Sequence, residues 1–539
     1  MIGADAIVKC LEAEGVEYVF GYPGVAICPF YNSILDSDIQ TILIRTEQNA
    51  AHAASGLARV SGKVGVCAVT SGPGATNLIT GVATAFADSI PLVCITGQVN
   101  SELLGSDVFQ EADITGVVES FVKYSYLVKD AADIPQIFKE AFHLASTGRK
   151  GPVLIDIPID IQNAPVGKFK YPDEVNMRTY KPTVKGNMAQ IKKVIKELSK
   201  SRRPLICAGG GVLLSQAEES LRAFSEKYRI PVVSTMMGIG AMPTEHPMYY
   251  GMVGNNGKPF ANRAMNESDL LLMVGARVAD RAVNQPDLIT ENKVLVHIDV
   301  DPAEIGKNVG PAIPLVGDAK HIFEDIATQE FSCEHEEWIQ TLNTYRDTMQ
   351  PVRRPNPAYV DPAAFISMLS REMDDHAVYV ADVGQNQIWS CGYHIVKKGR
   401  FLTTGGMGTM GYSIPAAMGA KLADKSRQVI AVCGDGSFQM SMMELATMRQ
   451  FDVPVKIIVL KNNYLGMVRE YQHYTYKDNY SVVDLSGSPD LEKLSAAFGL
   501  KFMRQETMEG AQDTIRAFLE KDESVLLECL IDPMDLVKG

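Results

Sequence analysis

Short apolar runs alternate with longer helical patterns along nearly the whole chain, and this alternation constrains the fold more than any other feature. A strand, a helix and a second strand read as a βαβ unit, and a series of such units builds a parallel sheet with helices on both faces. In a first block, Tyr18–Phe20, Thr41–Ile44, Gly65–Val69, Leu92–Thr96 and Val153–Ile157 read as strands, between helices such as Asp5–Glu14 and Asn49–Val60. A second block opens with helix Asn187–Ser199 and strand Pro204–Ala208, and continues through Val232–Ser234, Leu270–Val274 and Val294–Ile298. A third carries strands Val378–Ala381, Val429–Cys433, Val455–Leu460 and Val525–Ile531. The proline-bearing stretches Gln162–Val184 and Pro351–Pro357 read as connections. The expectation is three doubly wound α/β domains, at residues 1–165, 186–335 and 358–539, with ligands at the carboxyl ends of strands. Blocks one and three share a plan of strand, polar turn, helix and Gly-rich segment, which fits an internal duplication and the generic α/β pattern equally.

Charge narrows the function. Among 539 residues, 51 Lys+Arg face 64 Asp+Glu, a net charge of -13, which argues against a phosphate-backbone binder and hence against nucleic acid. Apolar runs fall short of the ~18–20 residues a membrane span needs. The start, Met1-Ile-Gly-Ala-Asp-Ala6, opens an amphipathic helix without a basic leader, so a cytoplasmic location is expected. The nine cysteines are scattered, with no C-x-x-C pair, which favours reduced, mostly buried thiols over a disulfide frame or metal cluster.

The chemistry concentrates in the third block. Val429–Cys433 runs into Gly434-Asp435-Gly436-Ser437, then a helix expected at Met440–Gln450, then strand Val455–Leu460 and Lys461-Asn462-Asn463. Right-handed crossover puts both strand ends on one edge of the sheet, so Asp435 and Asn462 converge. A carboxylate, an amide oxygen and a loop carbonyl make a hard-oxygen site for Mg2+ shared with a diphosphate. Singly, Asp435 could cap a helix and Asn462 could occupy a turn. Together, at this spacing, they form the pattern of thiamine diphosphate enzymes. Such a cofactor needs one glutamate in a largely apolar place to engage its pyrimidine, and Glu47, opening the alanine-rich helix Gln48–Val60, suits that task.

The chain resembles the catalytic subunits of the acetohydroxyacid synthase (acetolactate synthase) family over essentially its full length. The resemblance is carried by Phe20-Gly-Tyr-Pro-Gly24, Glu47-Gln-Asn-Ala-Ala-His-Ala-Ala54, Val69-Thr-Ser-Gly-Pro-Gly-Ala-Thr-Asn77, Asp107–Asp113, Gly148–Val153, Gly405–Gly411 and Leu465–Val468. It implies a thiamine diphosphate fold of pyrimidine, central Rossmann-like and diphosphate domains. It also implies decarboxylation of pyruvate and ligation of the remaining two-carbon unit to a second 2-oxo acid, giving 2-acetolactate or 2-aceto-2-hydroxybutyrate in branched-chain amino acid biosynthesis. By the same resemblance Glu47 activates the pyrimidine, while Asp435, Asn462 and the Tyr464 carbonyl hold Mg2+. Gly384, Gln385, Asn386, Gly434, Gly436, Ser437, Leu465, Gly466 and Met467 meet the cofactor, Met410 wedges beneath it, and the Gly408 carbonyl accepts its amino group. Gln110, Gly24 and Met410 are implied with Glu47 as catalytic residues, Val25, Phe109, Gln110, Lys123 and Tyr471 resemble residues on the substrate side, and Arg281 resembles the arginine that receives the acceptor carboxylate. FAD, without net redox, is implied in the central domain at Arg149, Gly209-Gly210-Gly211, Gly275, Arg277, Arg281, Asp299, Asp318 and Ala319. A homodimer or homotetramer with Glu47 and the Mg2+ site on different subunits is implied, together with the option of a small regulatory subunit.

The chain departs from the family pattern at Val25, Ile159, Asn255-Asn256, Ala279, Asn386, Lys461 and Tyr471, the last in place of a tryptophan associated with 2-oxobutyrate preference. Volume changes in a packed pocket are worth ~1–3 kcal/mol per group, so the expectation includes altered acceptor choice. The alternatives are a thiamine-dependent 2-oxo acid decarboxylase or a ligase using another acceptor. A nicotinamide oxidoreductase lacks its G-x-G-x-x-G fingerprint in the first block, and a catalytically dead paralogue conflicts with the retention of Glu47, Asp435 and Asn462.

Overall fold

The structure is a computed structural model and describes residues 1–283, 289–310 and 312–537. Among the described residues, eighteen strands form three parallel sheets of six. The first holds β1 (Tyr18–Tyr22), β2 (Gln40–Leu43), β3 (Gly65–Val69), β4 (Leu92–Gln98), β5 (Tyr124–Leu127) and β6 (Pro152–Pro158), in the order β2-β1-β3-β4-β6-β5. The second holds β7 (Pro204–Ala208), β8 (Val232–Ser234), β9 (Tyr249–Met252), β10 (Leu270–Val274), β11 (Val294–Asp299) and β12 (Ile313–Val316), in the order β9-β8-β7-β10-β11-β12. The third holds β13 (Val378–Ala381), β14 (Arg400–Leu402), β15 (Val429–Gly434), β16 (Lys456–Lys461), β17 (Lys501–Gln505) and β18 (Val525–Leu530), in the order β14-β13-β15-β16-β18-β17. The first and third sheets therefore have the same strand order, and the shared plan extends to topology. The middle sheet has the dinucleotide-binding order instead.

Every central strand matches an expected one, while β5, β9, β12, β14 and β17 lie outside the sequence reading. All five close a sheet edge, and edge strands are bounded on one side by no neighbour and lack the continuous apolar run that marks a central parallel strand. The helix expected at Met440–Gln450 is two helices, Asp435–Ser441 and Glu444–Gln450, so Asp435 itself opens a helix at the end of β15. The stretch read as a first connection lies on the first domain, where Phe169, Tyr171, Met177 and Tyr180 pack against its core. Eight of the nine cysteines are buried or half-buried, all are free, and Cys28 alone is exposed. Among the described residues no helix is long and apolar enough to cross a membrane.

The first and third domains share one apolar core. Its centre is the crossing of helix Glu47–Ser61 with helix Ser413–Ala423, where a Cβ on Gly56 would strike the Ala416 carbonyl and one on Gly419 the Ala53 carbonyl. Only glycine lets the two backbones touch. Beside the crossing, His52 is fully buried, its ring edge-on to Tyr412 at 5.2 Å, and burial pushes it down to about 3, so it packs as a neutral ring. Glu47, the first residue of its helix, is thereby fixed to the third domain of its own chain.

Candidate active site

In a doubly wound sheet, ligands settle at the carboxyl ends of the strands, where the chain order reverses. In the third sheet this point lies between β13 and β15. There Gly384, Gln385, Asn386, Met410, Gly434, Asp435, Gly436, Ser437, Asn462, Tyr464, Leu465, Gly466 and Met467 line one cavity, together with Trp389, Leu460, Val468 and Ile531. All but one of the residues assigned above to this cofactor in the third domain therefore meet. Gly408, the exception, stands exposed on the adjoining loop with φ +66 and open space where a Cβ would be.

The local geometry follows from strand ends and turns. The Asp435 carboxylate accepts the Asn463 backbone N–H at 2.7 Å and its own helix's Gly436 N–H at 3.2 Å. Burial pushes Asp435 up to about 6, a direction that a bound cation reverses. Asn462 Oδ1 accepts the Tyr464 N–H at 2.9 Å, and its Nδ2 donates to Gln385 Oε1 at 3.3 Å. Ser437 Oγ and Gly434 bond each other across the turn, at 3.1 and 3.2 Å. A carboxylate, an amide oxygen and a carbonyl suit a hard cation; among the described residues no cluster of three His, Cys, Asp or Glu does so. Two departures from the family pattern have partners here. Asn386 donates to the carbonyls of Asp382 and Val432, at 2.8 and 3.3 Å, tying the β13 and β15 ends together. Lys461 pairs at 2.9 Å with Glu528, which is buried and also accepts from Arg504.

Asp382, at the end of β13, is a residue the sequence reading passed over. It is fully buried and its carboxylate accepts three backbone N–H groups, from Val383 (2.8 Å), Gly411 (2.9 Å) and Ser413 (2.8 Å). It ties the loop bearing Met410 to the sheet. No spacing signals this, because its partners lie 29 and 31 residues away.

A second cluster lies at the reversal point of the first sheet, between β1 and β3. Gly24 sits on Thr70, where a Cβ would meet the threonine at 2.5 Å, and Gly74 sits 3.4 Å from Glu47 Oε1 by the same measure. Glu47 Oε2 accepts from Asn77 Nδ2 at 3.1 Å, so Asn77 is another member missed from sequence, although it ends the quoted Val69–Asn77 motif. Gln110 adopts φ +62, rare for a non-glycine, and packs its backbone on Gly72, itself at φ +59. Phe109 and Val25 stand 87% and 75% exposed. No residue of this cluster lines the third-domain cavity.

The remaining expected residues scatter. Lys123 points its ammonium at the carbonyls of Leu144 and Thr147 and at the Tyr180 hydroxyl, away from both clusters, with burial and Arg149 pushing it down to about 8. Tyr471 is exposed on helix Gly466–Tyr476 beside the third-domain cavity. Arg281 is exposed, near Asp280 at 3.9 Å. In the middle domain the turns after β7 and β10 meet at the reversal point. A Cβ on Gly209 would meet Ala276, and one on Gly211 would meet Gly275 at 2.6 Å. Arg149 and Arg277 both donate to Ser89 Oγ, at 3.2 and 3.1 Å, and Arg149 also pairs with Asp301 and Glu304. Asp299 ends β11, where burial raises its carboxyl, and Asp318 caps the helix that Ala319 opens.

Comparison with known proteins finds a separate match for each of the three sheets. Residues 1–117 match the family described as thiamine pyrophosphate enzyme, N-terminal TPP binding domain, residues 191–326 its central domain and residues 382–529 its C-terminal TPP binding domain. A probable acetolactate synthase large subunit of Methanocaldococcus jannaschii is 43% identical, covering 99% of this chain and 93% of its own length. The acetolactate synthase large subunits of Haemophilus influenzae and Lactococcus lactis are 41% and 40% identical, each over 99% of this chain and over 95% and 93% of their own lengths.

Proposed function

The chain belongs to the thiamine pyrophosphate enzymes, in the family of acetolactate synthase large subunits, and from that premise we propose how its residues perform acetolactate synthesis. The observation that carries the reading is the cavity in which Asp435, Asn462, Tyr464, Gly436 and Gln385 meet at a strand reversal. These residues fit the cofactor. The donor set is hard oxygen, and the buried Trp389 Nε1 on the cavity wall has no partner of its own.

Thiamine diphosphate, when bound, supplies the nucleophilic carbon and the electron sink for decarboxylation and carbon–carbon ligation. Asp435, Asn462 Oδ1 and the Tyr464 carbonyl would hold Mg2+, and the Gly384–Asn386 and Gly434–Ser437 turns would meet the diphosphate. Met410, on the cavity wall, would support the cofactor's ring system, and the Gly408 carbonyl would accept from its amino group. Glu47 holds the proton shared with the pyrimidine ring, oriented by Asn77. Gly24, Val25, Gln110 and Phe109 border the first 2-oxo acid, pyruvate, while Tyr471 and Arg281 serve the acceptor. FAD, in a structural role, suits the middle sheet: its strand order, paired glycine turns and Arg149, Arg277 and Asp299 form a dinucleotide cradle. Glu47 and the Mg2+ residues occupy separate clusters within one chain, which supports a homo-oligomer whose active site joins the two across subunits. The relatives are named large subunits, which supports a smaller regulatory partner.

The test is to incubate the purified protein with pyruvate, Mg2+ and thiamine diphosphate and to quantify 2-acetolactate against acetaldehyde. Acetolactate is the expected product, and acetaldehyde alone refutes the ligase reading. Adding 2-oxobutyrate in competition then measures the acceptor preference, which Tyr471 is expected to shift toward pyruvate.

A further inference from the structure

The segment Gly405–Gly411, which carries Gly408 and Met410, contains four glycines and little of its own to hold it still. Its far end is tied to the third domain through Asp382, as described. Its near end is held by the first domain. The N–H groups of Gly406 and Gly405 donate to Asp88 Oδ1 at 2.8 and 3.3 Å. Thr409 Oγ1 and Thr84 Oγ1 are 2.7 Å apart, and a Cβ on Gly406 would meet that of Ala87 at 2.6 Å. Thr84, Ala87 and Asp88 all belong to the last turns of helix Pro73–Asp88.

Asp88 is costly where it stands. It is the last residue of its helix, where the dipole opposes a negative charge, and it is only 9% exposed. Burial pushes its carboxyl up, against the Arg59 guanidinium and the loop N–H groups. A carboxylate kept against both the dipole and desolvation serves something other than its helix, and its bonds go to the loop.

We propose that Asp88 is a positioning residue, whose carboxylate fixes the entry of the Gly405–Gly411 loop so that Gly408 and Met410 are presented to the cofactor. The inference rests on the cofactor assignment above, and its test separates the two. Hydrogen exchange is measured first on cofactor-free protein. In Asp88→Ala, exchange at the Gly405 and Gly406 amides is expected to accelerate about tenfold or more, while Gly411 and Ser413, held by Asp382, keep their wild-type rates. Thiamine diphosphate is then titrated with Mg2+ present and read by the fluorescence change of Trp389. The Kd is expected to rise about tenfold, with Asp88→Asn between wild type and Asp88→Ala because a neutral amide oxygen still accepts, more weakly. Unchanged exchange at Gly405 and Gly406 overturns the proposal. Equal acceleration at Gly411 and along the whole helix also overturns it, since that reports a generally loosened fold. If Asp88→Ala does not fold, Asp88→Asn carries both measurements against the same criteria. Wild-type protein that fails to bind thiamine diphosphate defeats the cofactor assignment, while the exchange comparison still decides whether Asp88 holds the loop.

Discussion

Asp156 lies within β6, where Thr96 Oγ1 donates to it at 2.6 Å and Gln98 Nε2 at 2.9 Å; the same Gln98 amide reaches the Ala112 carbonyl at 2.7 Å, two residues beyond Gln110. Burial pushes the Asp156 carboxyl up to about 7. The folded protein therefore keeps a proton that the unfolded chain releases near pH 4. The penalty is absent below about pH 4, grows up to about pH 7 and is complete above it, so this group makes stability fall as pH rises through that window. Asp156→Asn should remove on the order of 2–4 kcal/mol of that slope, read as the change in unfolding midpoint between pH 4.5 and 7.5. Identical slopes in the two proteins contradict the assignment. At this scale, legibility depended on chain distance. Asp435 and Asn462 are readable because one βαβ unit joins them, and Glu47 because a helix starts at it. Asp88, Asp382 and Asn77 are not, since each acts through a partner that only the fold brings near.

Among the elements, the crossing of helices Glu47–Ser61 and Ser413–Ala423 sets where Glu47 stands. In an exposed helix interior, Gly→Ala gains ~1 kcal/mol from propensity. At Gly419 the new methyl would overlap the Ala53 carbonyl, so the backbones must separate. Gly419→Ala is expected to lower stability by ~2–3 kcal/mol and to reduce kcat through displacement of Glu47. Gly392→Ala is the contrast: its nearest neighbour is Lys258 Nζ at 3.9 Å, in helix Gln385–Tyr393, so the substitution should be neutral or stabilising. Denaturation midpoints that do not separate the two variants would count against backbone contact as the cause. The same physics explains which elements were legible. Central strands, flanked by neighbours on both edges, show continuous apolar runs, and all of these were found. Edge strands such as Lys501–Gln505, with exposed Lys501 and Arg504, carry a mixed pattern that periodicity does not distinguish from loop.

For the whole molecule, the decisive fact is that the Glu47 cluster lies outside the Asp435 cavity of the same chain. If two chains complete one site, each dimer has two sites, and each site takes Glu47 from one chain and Asp435 from the other. Glu47→Gln and Asp435→Ala are then each expected to abolish turnover as homodimers, because every site lacks one essential group. In a mixed dimer, the Asp435→Ala chain contributes an intact Glu47 to the intact Asp435 of the Glu47→Gln chain, and the other site lacks both. Equal mixing with free subunit exchange yields half mixed dimers with one working site in two, so activity should recover to about a quarter of wild type. A site completed within one chain predicts no recovery, because no single chain in the mixture carries both groups. The same mixture diluted toward dissociation should lose its activity in step with its dimer fraction, measured by light scattering, whereas an active single chain would keep its specific activity at every concentration.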